Sequence, residues 1–345
     1  MKATMSGVKI GLVLAVLFSV VAFGALYRHF LRPGERRESA GELAGRAERA
    51  LEDVRRRDLK ATLRPARYDS VLAPLDEMLR LARRIGDAES YDPVADYPRI
   101  AAYCEPVMRI ALEAHRQARR ETSFLRRNFR FMRQRGDACQ YLAAGLWNRL
   151  DALSRRSPGS RFAEGGFQPS PADSEALFAV IDAGLEADSE NKQLWYMRGT
   201  LNRANGVFAG AERDLRKALD LDADYAAAWN VLGLVMINLR EFKRAEEAFA
   251  AAAEKSSRGA EAAGVPPGPE HTAALFNLAR LHEGLLSHYS RLEPTDPDPE
   301  NKREMSRHRE GMESALRALI AATADGTPER GEAQKMLSGA NQAGF

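Results

Sequence analysis

The stretch AWNVLGLVMINLREFKRAEEAFAAA, from Ala228 to Ala252, places a glycine and many alanines where a helical core would ordinarily carry larger side chains. Glycine weakens a helix by about 1 kcal/mol relative to alanine, so this composition calls for a packing reason. The pattern also recurs, since similar residues stand 34 positions earlier. The pairs one period apart are Trp195 and Trp229, Gly199 and Gly233, Phe208 and Phe242, Ala211 and Ala245, Leu215 and Phe249, and Ala218 and Ala252. A fixed period of this length predicts an array of similar structural units.

Each unit divides into two helices. Trp229, Gly233 and Met236 fall on one face of a first helix, and Ala245 and Phe249 fall on one face of a second helix. Small residues let two helix axes approach closely, while the large side chains fill the space beside them. The spacing therefore predicts helical hairpins that are packed through glycine and alanine.

These units resemble tetratricopeptide repeats, in which the pattern W-x2-L-G-x2-Y is followed by Ala, Phe and Ala, and then by Pro. The second unit departs from the pattern at Met236, which stands in the tyrosine place. The first unit departs at Arg198 and Asn202, and the link between them has Ala223 where proline is expected. The resemblance implies an all-α, TPR-like helical-hairpin solenoid.

The predicted domain organisation has three parts: an N-terminal tail and anchor over residues 1–27, a helical linker and basic helical region over 28–137, and the repeat array over 138–345. Within the array the resemblance is closest over residues 190–256. On the N-terminal side of this part, we expect a helical hairpin formed by Cys139–Leu153 and Ser174–Glu190. On its C-terminal side, we expect a second hairpin formed by His271–Leu285 and Arg303–Ala322, followed by a cap helix at Thr327–Leu337. Upstream, the pattern predicts helices over Glu38–Leu63, Ser70–Ile85 and Arg99–Arg135, with a loop over Gly86–Pro98.

The segment Ile10–Leu26 contains 17 residues without a charge and predicts a transmembrane helix of roughly 25 Å. A cleaved signal peptide is the alternative, although the apolar segment is long for one. On this basis the expected localisation is a single-pass membrane protein. Its body is favoured on the extracytoplasmic (periplasmic) side, and the cytoplasmic side stays open because the flanking positive charges nearly balance.

A basic stretch from Arg109 to Arg135 carries nine arginines and two acidic residues, with phenylalanines interleaved. One interpretation is an anionic surface site, for lipid or nucleic acid, on one Arg-rich helix. The other is a solvated basic face whose apolar side chains pack on the next helix. The net charge of the whole chain does not indicate nucleic-acid binding, because 51 Lys and Arg residues nearly balance 48 Asp and Glu residues. The anionic-surface residues would be Arg116, Arg119, Arg120, Arg126, Arg127, Arg130 and Arg133.

The resemblance to tetratricopeptide repeats implies a concave groove, lined by the first helices, that binds a protein or peptide partner. Together with the N-terminal segment it predicts a membrane-anchored scaffold or adaptor in an envelope or secretion assembly. The alternative is that the protein's own N-terminal helices fill the groove. The residues expected to face it are Gln193, Tyr196, Thr200, Arg203, Asn230, Leu234, Ile237, Asn277 and Arg280.

No catalytic motif is present, so the sequence predicts a protein that is not an enzyme and uses no metal or cofactor. His271 and His282 would lie roughly 16 Å apart on one helix and cannot share a metal ion. They are interpreted as surface or groove histidines. Cys104 and Cys139, the two cysteines, are either one disulfide or two buried thiols.

Overall fold

The computed structural model describes residues 39–56, 68–121, 125–156, 167–292, 298–324 and 326–342. Within these ranges the chain forms twelve α-helices and no strand, which confirms the all-α prediction. The helices are α1 (Ala40–Arg56), α2 (Asp69–Gly86), α3 (Pro93–Glu121), α4 (Leu125–Arg156), α5 (Pro171–Ala187), α6 (Lys192–Ala204), α7 (Phe208–Leu221), α8 (Ala226–Asn238), α9 (Phe242–Ala263), α10 (Pro269–Leu292), α11 (Pro299–Ala322) and α12 (Pro328–Gln342).

The expected single-pass membrane localisation is corrected by the structure. None of the helices in the described ranges is both long enough and apolar enough to cross a membrane. The physical reason is that the long helices carry charged side chains, each of which costs about 2.5–3.5 kcal/mol at the centre of a bilayer, whereas the uncharged helix α8 has only 13 residues. The segment Ile10–Leu26, on which the prediction rested, lies outside the described residues.

The described part of the chain divides into two compact units, with the division between Leu201 and Asn202. The N-terminal unit contains α1 to α5 and most of α6. Its core is built from aliphatic and aromatic side chains of the first four helices, among them Leu43, Leu75, Ile110 and Phe131, which are all less than 2% exposed.

The predicted continuous helix from Arg99 to Arg135 is wrong, because α3 ends at Glu121 and α4 begins at Leu125. The two helices run antiparallel. Near one end of the pair, a Cβ atom placed on Gly145 would lie 3.1 Å from the Tyr97 ring. As two antiparallel helices, α3 and α4 bury their apolar faces against each other, which one straight helix would hold far apart.

The predicted loop over Gly86–Pro98 is also shorter than expected. Asp92 caps α3, since its Oδ1 accepts hydrogen bonds from the backbone N–H groups of Val94 (2.8 Å) and Ala95 (3.2 Å). Pro93 fits the first helical position because no N–H is needed there. The Asp-Pro pair that indicated a loop is therefore a helix start.

Cys104 and Cys139 lie in the core of the N-terminal unit as buried free thiols. Burial raises the pKa of the Cys139 thiol to about 12, so the sulfur stays protonated and unreactive near neutral pH. Of the two alternatives that the sequence left open, the structure contains the pair of thiols.

The 34-residue period reappears in the backbone and side-chain geometry. The indole N–H of Trp195 donates to the carbonyl of Ser189 at 2.8 Å, and that of Trp229 donates to Ala223 at 2.9 Å. The turns inside the two hairpins match as well. Each has one residue with a left-handed backbone, Gly206 (φ 75°) in the first and Arg240 (φ 62°) in the second. The repeat seen in the sequence is thus a repeat of the structure.

The C-terminal unit begins at Asn202 and contains α7 to α12. In this region α8 packs against α9, α10 packs against α11, and α12 packs against α11. Ion pairs join successive second helices, from Arg244 to Glu212 at 2.5 Å and from Arg307 to Glu246 at 3.0 Å. Partly exposed ion pairs of this kind add little stability.

The glycine of the opening stretch has a direct packing role. A Cβ atom placed on Gly233 would lie 2.5 Å from Cε1 of Phe249, and that ring is fully buried. The ring of the second helix therefore occupies the space that any larger residue would need on the first helix. This contact sets the separation of α8 and α9.

We expect Gly233→Ala to lower the free energy of unfolding by about 1–3 kcal/mol, although alanine is the better helix former. The reason is the clash with the Phe249 ring. The matched control is Gly259→Ala in α9, where a Cβ would meet nothing within 4 Å. The control should gain up to about 1 kcal/mol in a urea titration. A Gly233→Ala variant as stable as its control would contradict this packing.

The left-handed residue Arg240 supplies a second prediction. Arg240→Gly should raise the free energy of unfolding by about 0.5–1 kcal/mol, since only glycine adopts this backbone without steric cost. The converse change at the matching position, Gly206→Arg, should lower it by a similar amount. Urea midpoints that moved in the opposite directions would show that these turns tolerate any residue.

Candidate functional site

The candidate site is the exposed side of α8 and α10, the two first helices of the C-terminal unit. The helices contact each other, and the amide Nδ2 of Asn277 donates to Oδ1 of Asn230 at 2.8 Å. The two side chains are only 5% and 3% exposed. The structure thus brings together two of the predicted groove residues, but as a buried hydrogen-bonded joint between helices.

Farther along the same faces, the two helices meet solvent. Ile237 follows Asn230 by seven residues and is half-buried, and Gly284 follows Asn277 by seven residues and is exposed. Seven residues are nearly two helical turns, so each residue lies on the face of its asparagine. A Cβ placed on Gly284 would meet nothing within 4 Å. We call Ile237, Arg280 and Gly284 the first-helix strip.

Arg280 is the charged member of the strip, and its side chain is 15% exposed. Its Nη1 donates to Oε2 of Glu283 at 2.7 Å. Burial raises the pKa of Glu332, a carboxyl of the cap helix α12, above its ordinary value. Arg280 lowers and Glu283 raises this pKa by smaller amounts, so Glu332 belongs to the same charged group. A half-buried arginine beside carboxylates can give a partner directed hydrogen bonds, while its charge is largely balanced by those carboxylates.

The other predicted groove residues are placed as follows. In the C-terminal unit Leu234 is buried and Arg203 is half-buried. In the N-terminal unit Tyr196 is buried, with 3% exposure, while Gln193 and Thr200 are half-buried. The hydroxyl of Thr200 donates to the carbonyl of Tyr196 at 2.9 Å, which ties it to its own helix. The role of these five residues in binding a partner stays a prediction.

The Arg-rich stretch is distributed over α3 and α4 and is tied to acidic residues of other helices. Arg109 pairs with Glu48 at 2.5 Å and Arg130 pairs with Asp76 at 3.2 Å. Arg116, Arg130 and Arg133 are exposed. The side chains of Arg119, Arg120, Arg126 and Arg127 lie outside the described residues. These cross-helix pairs favour the interpretation of a basic face within a helical domain.

The two predicted surface histidines differ in their surroundings. His271 is half-buried, with Nδ1 2.9 Å from the carbonyl oxygen of Ala253. His282 is buried, at 4% exposure, so its interpretation as a surface or groove residue is wrong. Burial follows from the packing of α11 on α10, which the sequence spacing did not show. Among the residues that the structure describes, no three His, Cys, Asp or Glu side chains converge as metal ligands would.

Sequence reasoning missed Gly284 and Glu332 as members of the candidate site. Gly284 lies outside the Leu-Gly position of the repeat pattern, so nothing in the sequence marked it as exposed. Glu332 belongs to the cap helix, and only the packing of α12 brings it close to Arg280.

No protein-family model matches the chain, and no curated protein matches it. Among solved structures, the chain is similar to the TPR2AB-domain:pHSP90 complex of yeast Sti1, with 14% identity over 68% of this chain and 98% of that one. It is also similar to yeast Tom70, with 13% identity over 95% of this chain and 69% of that one. The TM-score is 0.25 in both cases, so these superpositions carry no conclusion. The likeness to tetratricopeptide repeats rests on the period and its geometry.

The buried asparagine pair supplies a third prediction. Asn277→Ala should lower the free energy of unfolding by about 1–3 kcal/mol, because it leaves the buried amide of Asn230 without its partner. Asn230→Ala should have a similar effect, and the double variant should cost less than the sum of the two. The control is Asn238→Ala on exposed α8 surface, which should stay within about 0.5 kcal/mol of wild type by urea titration. Additive single effects would show that the two amides are not coupled.

Proposed function

We propose that this protein is a non-enzymatic helical-repeat adaptor that binds a protein or peptide partner on the first-helix strip. The observation that carries the proposal is the 34-residue repeat, which recurs in the tryptophan hydrogen bonds and in the left-handed turns. Hairpin arrays present their first helices side by side, and this arrangement suits recognition of an extended or helical segment.

The composition of the strip indicates the kind of partner. Ile237 offers an apolar contact, Arg280 offers directed hydrogen bonds, and Gly284 leaves room for a side chain of the partner. Apolar anchors with few polar contacts are typical of sites that bind peptides or helices. The partner would be a segment that carries an apolar side chain next to an acceptor group.

A role in an envelope or secretion assembly is not proposed for this protein. It depended on a membrane-spanning helix, and none of the described helices is suited to span a membrane. The alternative of an anionic surface site on the Arg-rich stretch gains no support either. Arg109 and Arg130, two of its arginines, already pair with carboxylates of neighbouring helices.

The test compares two glycine-to-tryptophan variants of the full chain. Both Gly284 on α10 and Gly259 on α9 leave open space where a Cβ would stand, so both variants should fold. A random peptide library is selected on the wild-type protein, and the selected peptides are then titrated against each variant. Gly284→Trp should weaken binding at least about tenfold by filling the strip, or about 1.4 kcal/mol.

Gly259→Trp should leave the affinity unchanged, since it adds the same side chain on the outer helix. Thermal melting of both variants establishes that they are folded. If both variants weakened peptide binding equally, or if neither changed the affinity of the selected peptides, the first-helix strip would not be the binding site.

A further inference from the structure

Two histidines form a buried contact between α10 and α11. His282 and His308 are each 4% exposed, and their Nδ1 atoms lie 3.0 Å apart. Gly311 makes this approach possible, since a Cβ there would lie 2.5 Å from Nε2 of His282. The contact therefore joins the two helices of the last hairpin at a point where their backbones are close.

The surroundings select one arrangement of protons. A hydrogen bond between two Nδ1 atoms needs one N–H donor and one bare nitrogen. Nε2 of His308 lies 3.4 Å from a carboxylate oxygen of Glu304, and this carboxylate favours the tautomer with the proton on Nε2. Nδ1 of His308 is then bare and accepts from Nδ1–H of His282. Both imidazoles are neutral in this arrangement.

The charged groups that face the pair are two carboxylates and one guanidinium, and the effect of the carboxylates on an added proton is smaller than that of burial. Glu246 faces it from α9, and Glu304 and Arg307 face it from α11. Arg307 already pairs with Glu246 at 3.0 Å and with Glu304 at 3.3 Å. On the side of α10, the Tyr289 ring stacks on His308 with centroids 5.7 Å apart.

We propose that the His282–His308 pair is a proton-operated latch that keeps α10 closed on α11 near neutral pH and releases the hairpin on acidification. One added proton places an imidazolium in a buried site. A second puts two N–H groups face to face at hydrogen-bond distance, and the bond between the helices is lost.

The direction of the pH dependence follows from burial. Burial is the largest influence on both imidazoles and holds the pKa of each below its ordinary value of 6.5. The unfolded or opened chain then binds more protons than the closed hairpin. The stabilisation by the latch is complete above pH 6.5 and is lost as the pH falls below it.

The experiment is hydrogen–deuterium exchange on the full chain at about pH 7.5 and about pH 5.5, corrected for intrinsic exchange. Protection of α10 and α11 should fall at least about tenfold at the lower pH, while α8 keeps its protection. A local readout is needed because carboxyl groups of the N-terminal unit respond in the opposite sense. Burial raises the pKa of Asp137 to about 6 and that of Asp87 to about 7.

Two variants separate the latch from other histidines. The double variant His282→Gln/His308→Gln keeps neutral polar side chains that cannot take up a proton, so protection of the hairpin should no longer depend on pH. His288→Gln, the matched change at an exposed histidine of α10, should behave as wild type does. Loss of the pH dependence in both variants would overturn the proposal.

A titration of the wild-type imidazoles by NMR does not depend on any variant. Both His282 and His308 should titrate below 6.5, and their shifts should be coupled. Independent titration of either imidazole at 6.5 or above, or hairpin protection that is equal at the two pH values, would overturn the proposal.

Discussion

The contact between Gly233 and the Phe249 ring sets the geometry on which the repeat depends. The ring occupies the place of a missing Cβ, so α8 and α9 pack at a distance that no larger residue would permit. The same device recurs at Gly184, where Leu194 and Cys139 fill the space, and at Gly311, where His282 does. In each case the helix gives up some intrinsic stability for close contact with its neighbour.

Close packing of this kind also decides which side chains remain available for binding. Helix α8 has buried residues on nearly every side, so Asn230 and Leu234 are enclosed although they stand on a first helix. The residues of α8 and α10 that stay at least partly exposed include Ile237, Arg280 and Gly284. A partner would therefore be recognised by a few contacts on a rigid support.

At two of the described helix–helix contacts, buried polar side chains form hydrogen bonds with each other. The asparagine pair joins α8 to α10, and the histidine pair joins α10 to α11. A buried polar group without a partner is costly, so each pair favours one register of its two helices. The two pairs differ in one respect, since an amide keeps its charge state at every physiological pH while an imidazole does not. The closure of the last hairpin can consequently respond to acid.

The sequence by itself determined the all-α class, the 34-residue period and the role of Gly233, because these depend on local spacing and residue size. It also placed Asn230 and Asn277 on first helices. Only the tertiary structure decided that these asparagines are buried partners, that His282 meets His308, and that the Arg-rich stretch belongs to two antiparallel helices. Those outcomes depend on which faces meet across separations of 26 to 61 residues, as in His282–His308 and Arg109–Glu48. Spacing along one helix carries no information about such contacts, since it fixes a face but not the element packed against it.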